Sequence, residues 1–161
     1  MKKSSWFLFA WIAFFHGCES KKFSSYYENT DSDWKSYMER ISDTKDSSLK
    51  NTILLVLKST ECSPALGELR WWDEYQSTNS DLNIQLIIIE KYASTFQAFL
   101  NQEEITIPAS RDSAGILFDL ALLPTTPMKV LIDGEGKIKK LAAIGAAIDP
   151  TQDTFVGSLK E

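Results

Sequence analysis

Apolar residues in this chain gather into two kinds of run: short unbroken stretches, and longer stretches with helical spacing. Residues 52–57 (TILLVL) and 84–89 (IQLIII) are of the first kind, the pattern of strands covered on both faces in a parallel sheet. Between them Leu66, Leu69, Trp72 and Tyr75 or Gln76 predict a helix, after a turn over 59–65, with Glu68, Asp73 and Glu74 left for solvent. Phe96, Phe99 and Leu100 predict a second helix over 92–101, and Ile116, Leu117, Leu120 and Leu123 a third over 113–123. Residues 105–107 read as a short strand or an extended link ending at Pro108. Residues 128–132, the turn Asp133-Gly134-Glu135-Gly136 and residues 137–143 carry a β-hairpin signal. Upstream, Asp31-Ser32-Asp33 offers caps before Trp34, Tyr37, Met38 and Ile41, a helix over 33–42; Phe155, Val156 and Leu159 predict a closing helix over 150–160. A β-α-β unit joined to a β-β-α unit gives an α/β protein, a central mixed β-sheet with helices on both faces.

The N-terminus carries a different pattern. Lys2 and Lys3 precede an apolar run over 6–15, the charged and apolar parts of an export signal. That run is too short to cross a bilayer, whose hydrocarbon core of about 30 Å needs roughly 20 helical residues. It ends in Phe15-His16-Gly17-Cys18, which resembles a bacterial lipobox, although Phe15 and His16 depart from the usual Leu-Ala/Ser. The resemblance implies removal of a signal peptide over 1–17 and thioether attachment of diacylglycerol to Cys18. It also implies a place in the bacterial cell envelope, lipid-anchored to a membrane and facing the periplasm or exterior. Residues 18–48 are then a lipidated tether and N-terminal helix, and 49–161 the folded domain.

Composition narrows the chemistry. A chain of 161 residues with 43% hydrophobic and 24% charged residues suits one globular domain with short appendages. The formal charge of −5, with scattered basic residues, argues against a nucleic-acid partner. Loss of 1–17 removes Lys2, Lys3 and the sole histidine, His16, making the mature chain two charges more negative. Without histidine there is no imidazole base, Ser-His-Asp triad or His-based zinc site. One thiolate among scattered carboxylates is no recognisable ligand set, so neither metal nor cofactor is expected. Cys62 is left as the single free thiol, with no intramolecular partner.

Cys62-Ser63-Pro64-Ala65 opens the helix that follows the first strand. Free backbone N–H groups and the helix macrodipole there favour a thiolate, whereas Glu61 next door disfavours a second negative charge. Ser63 or Cys62 is the N-cap, and Pro64 suits the first turn, where its missing N–H costs nothing.

These residues, with Pro124-Thr125-Thr126-Pro127-Met128-Lys129-Val130-Leu131-Ile132-Asp133, resemble the thioredoxin-like superfamily, in particular its exported thiol–disulfide oxidoreductases. The resemblance covers roughly 49–161 and implies a three-layer α/β sandwich. It also implies a nucleophilic Cys62, a motif-supporting role for Ser63, Pro64 and Glu68, and a cis Thr126-Pro127 bond whose loop pairs with an extended substrate. The chain departs from the family where Ala65 replaces the second, resolving cysteine, Glu61 replaces a frequent aromatic, and Val56 replaces a buried acid. A full dithiol cycle is therefore excluded.

The function this implies is thiol–disulfide exchange through Cys62 alone, in cell redox homeostasis, on an extended peptide or a thiol/disulfide protein. The alternatives are a non-catalytic thioredoxin-fold binding module for an envelope protein, a one-cysteine peroxidase, and an inert thiol. For the peroxidase Ser59 fits a hydroxyl position, but Leu55 stands where proline belongs and Arg111 is out of place. Other residues have plainer readings: Glu68 as a solvated helix carboxylate, one of Trp71 and Trp72 in the core, and Lys137, Lys139 and Lys140 as charges protecting a sheet edge. Glu103 and Glu104 are adjacent and on a helix point apart.

Overall fold

The computed structural model describes residues 36–37, 52–79, 83–119, 123–135, 137–145 and 155. The expected signal peptide over 1–17, Cys18, the expected tether and most of the helices expected over 33–42 and 150–160 lie outside these residues. Of those two helices, Ser36, Tyr37 and Phe155 are described, and all three are helical.

The elements run β1 (Thr52–Lys58), α1 (Ser63–Thr78), β2 (Asn83–Ile89), α2 (Ala93–Glu103), β3 (Ala109–Asp112), α3 (Ile116–Asp119), β4 (Met128–Ile132) and β5 (Ile138–Ala143). They form a five-stranded sheet in the order β3-β2-β1-β4-β5. β1 pairs parallel with β2, and β2 parallel with β3; β4 runs antiparallel to β1, and β5 antiparallel to β4. The unbroken apolar run of β1 has its cause here, because β1 is the middle strand and both of its faces are covered. Ile53, Leu55 and Leu57 pack with Leu69, Trp72, Phe99 and Ile107 on one face. Leu54 and Val56 pack with Tyr37, Leu117, Leu123 and Met128 on the other. Each such side chain contributes roughly 1.5–3 kcal/mol when fully buried.

One open reading closes and two expectations change. The segment 105–107 is a link, tied down by Asp73, whose Oδ1 accepts the amides of Thr106 and Ile107 at 2.8 Å each. Asp73 is thus a bonding partner of that link rather than a solvent carboxylate. The strand lies after Pro108 instead, where Ala109–Asp112 pairs with Leu86–Ile89. The third helix starts at Ile116, not at 113: Asp112 accepts the amides of Ile116 (3.0 Å) and Leu117 (3.1 Å), satisfying two first-turn donors. Gly115 before it has φ +70°, which a helix cannot use. Leu123 lies beyond the helix.

Candidate functional site

β1 ends at Lys58, and a turn closed by the Glu61 amide on the Lys58 carbonyl (3.2 Å) delivers the chain to Cys62. Cys62 is the N-cap of α1 (φ −78°, ψ 161°), Pro64 lies in the first turn, and the Cys62 side chain makes no capping hydrogen bond. Its carbonyl accepts the amides of Ala65 (3.0 Å) and Leu66 (3.2 Å). The thiol is free and exposed, and Ser63 and Pro64 beside it are exposed as well.

The Thr126-Pro127 peptide bond is cis. The Pro127 carbonyl, just before β4, accepts the amide of Ile144, which follows β5, at 3.2 Å. The next residue, Gly145, has φ +81° and lies so near the first turn of α1 that a Cβ there would be 2.9 Å from the Ala65 nitrogen and 3.1 Å from the Pro64 carbonyl carbon. Ile144-Gly145 therefore bridges the cis-proline loop and the turn that carries Cys62. Ala65, in the first turn of α1, is fully buried.

Beneath this surface sits an ion pair. Glu68 is 3% exposed and Lys129 1%, and Lys129 Nζ donates to Glu68 Oε1 at 2.5 Å. Trp72 Nε1 donates to the same oxygen at 3.2 Å, and the Gly145 amide donates to Oε2 at 2.6 Å. The Lys129 ammonium also lies 5.4 Å from the ring centre of Phe155 and 6.0 Å from that of Trp72. Reading Glu68 as a solvated carboxylate is corrected by this burial, and the reason is geometric. The buried stripe of α1 is Ala65, Glu68, Leu69 and Trp72, so Glu68 points at the sheet. Lys129, which sequence reasoning did not single out, pairs across the sheet with Leu55 and Ala142. Its signal was a lysine inside MKVLI, a strand buried at every position.

The remaining candidates are committed elsewhere. Ser59 Oγ donates to Glu90 Oε2 at 2.5 Å. That bond first, and the Tyr92 amide second, hold the Glu90 carboxyl below its ordinary range. Arg111 Nη1 donates to the Lys91 carbonyl at 2.6 Å. Of the two adjacent tryptophans, Trp72 is in the core, and Trp71 is half-buried and stacked on Tyr75. Lys139 pairs with Asp133 and Lys137 with Glu135 along the β5 edge. Glu103 is buried and pairs with Arg70, whereas Glu104 is the left-handed C-cap of α2. Among the described residues, no group of three His, Cys, Asp or Glu is placed to hold a metal ion, and no helix is long and apolar enough to cross a membrane.

No family model matches the chain, and neither does any curated protein. Solved structures do. One is a Chlorobium tepidum protein assigned as the thiol:disulfide interchange protein DsbE, with TM-score 0.59 and 17% identity over 69% of this chain and 78% of that one. A thiol-disulfide oxidoreductase from Bacteroides fragilis has TM-score 0.57 and 17% identity over 72% and 85%. A secreted disulfide oxidoreductase from Mycobacterium tuberculosis has TM-score 0.55 and 16% identity over 69% and 81%. The fold is thioredoxin-like. In it the cysteine turn, the cis-proline loop and the Ile144-Gly145 segment meet at one place, joined by the bonds described above.

Proposed function

We propose that this protein is a lipid-anchored thioredoxin-like protein of the bacterial cell envelope that performs thiol–disulfide exchange through Cys62. The observation that carries the reading is an exposed thiol at the N-cap of α1, on a turn tied through Gly145 and Ile144 to the cis-Pro127 carbonyl. The Cys62 thiolate attacks one sulfur of an incoming disulfide, forming a mixed disulfide and expelling the other sulfur as a thiolate. No second cysteine stands at position 65, so an external thiol must attack the mixed disulfide, leave with the substrate sulfur and restore the Cys62 thiolate. In this reading Thr126 and Pro127 pair by their backbone with an extended peptide, Ser63 and Pro64 shape the turn, and Cys18 carries the lipid. The chemistry needs no cofactor.

The test traps mixed disulfides in an envelope extract with the wild-type chain and with Cys62→Ser. Reductant-sensitive adducts mapped to Cys62 and missing from the variant support exchange. A second reading, a binding module for an envelope protein, is favoured by alanine rather than a resolving cysteine at position 65. Partners retained equally by both forms would select it.

A further inference from the structure

We infer that Lys129, acting through Glu68, is a positioning residue that fixes the cis-Pro127 loop and the Ile144-Gly145 segment against the turn that carries Cys62. The inference rests on the exchange reading above and deepens it. Lys129 is 1% exposed, so its ammonium cannot touch a substrate. What it holds is a closed ring of contacts. Lys129 lies two residues after Pro127 on β4, and its Nζ donates to Glu68 Oε1 on α1. Glu68 Oε2 accepts the Gly145 amide, the Ile144 amide donates to the Pro127 carbonyl, and the ring closes at the residue where it began. Gly145 in turn lies against the backbone of Pro64 and Ala65, in the turn headed by Cys62.

An apolar pair of similar volume would fill the same space with little loss of stability. The ion pair adds direction: one carboxylate oxygen is claimed by the lysine and the indole, which aims the other at the Gly145 backbone amide. The substrate class that feels this placement is an extended polypeptide disulfide, which must lie along the Pro127 loop while its sulfur is attacked. A small alkylating reagent needs only an accessible thiol.

The test compares the wild type with Lys129→Met and with the volume-conserving double variant Glu68→Leu/Lys129→Met, which keeps the core filled if the single change fails to fold. Three quantities are measured on each: alkylation of Cys62 by iodoacetamide, exchange of Cys62 with an extended peptide disulfide, and hydrogen exchange of the Gly145 amide. Positioning predicts alkylation within about twofold of wild type and peptide exchange slower by about tenfold or more. It also predicts a Gly145 amide exchanging at least about tenfold faster. Peptide exchange within about twofold of wild type, or an equal fall in alkylation and peptide exchange, overturns it. Should the wild type be alkylated yet form no peptide adduct, the exchange reading fails by itself and the Gly145 amide decides the inference: lost protection supports the tether, and retained protection overturns it.

Discussion

At the scale of single residues, the buried charges determine most of what can be tested. Breaking one partner of the Glu68–Lys129 pair leaves an uncompensated buried charge, so Lys129→Met should destabilise the fold by about 3–5 kcal/mol in urea unfolding, while Glu68→Leu/Lys129→Met recovers most of that loss. Asp133 supplies a pH-dependent contribution. Burial pushes its carboxyl up, but the Lys137 amide, the Lys139 ammonium and the Glu135 amide outweigh burial and hold it below the ordinary range. A depressed carboxyl stabilises the fold above its unfolded value, about 3.9, and the contribution vanishes as pH falls through the folded value. Asp133→Asn should therefore be less stable than wild type at pH 7, with the gap between urea midpoints closing below about pH 4. Cys62 is the converse case, a residue that stability does not favour. It caps α1 without a side-chain hydrogen bond, and serine is among the best N-caps. Cys62→Ser should leave stability unchanged or raise it by up to about 1 kcal/mol, as expected where a residue serves chemistry rather than folding. The place of Cys62 at the head of α1 is legible in the sequence; the burial of Glu68 is not. Its stripe reads correctly when begun at Ala65, giving 65, 68, 69 and 72 at i, i+3, i+4 and i+7, and wrongly when begun at Leu66.

At the scale of elements, the long apolar runs announced β1 and β2 because both strands are central and buried on two faces. β3 was illegible for the opposite reason. ASRD is short, polar and at the sheet edge, so hydrophobic periodicity has nothing to register. The start of α3 was misread because Ser113 and Ala114 suit a helix, while the cap is Asp112, further back. Asp112 also accepts the Tyr37 hydroxyl proton at 3.4 Å, and burial first, then the Asp112 charge, pushes the Tyr37 phenol far above its ordinary value. Asp112→Ala should cost about 1–2 kcal/mol, read by urea unfolding, from the lost cap alone. The segment after β5 gave no sign in the sequence of touching α1, since only the folded chain brings Gly145 beside Ala65. Gly145→Ala combines a left-handed φ with a 2.9 Å approach to backbone, so it should lower stability by about 1–3 kcal/mol, measured the same way.

At the scale of the whole molecule, the alternation of runs was enough to assemble a mixed sheet between two helical layers, and the observed strand order matches that architecture. What periodicity could not supply was the coupling between distant segments. The ring through Pro127, Lys129, Glu68, Gly145 and Ile144 draws on α1, β4 and the chain after β5, residues 77 apart at its widest. Such a ring exists only in three dimensions, and it ties the cis-Pro127 loop to the helix that Cys62 heads. The most direct measurement is the intact-mass time course of the wild-type protein mixed with an extended peptide disulfide, followed by excess small thiol. The account predicts one peptide adduct, mapped to Cys62, forming faster on the folded protein than on the urea-unfolded chain at equal pH and released by the thiol. An adduct that forms no faster on the folded protein would contradict it.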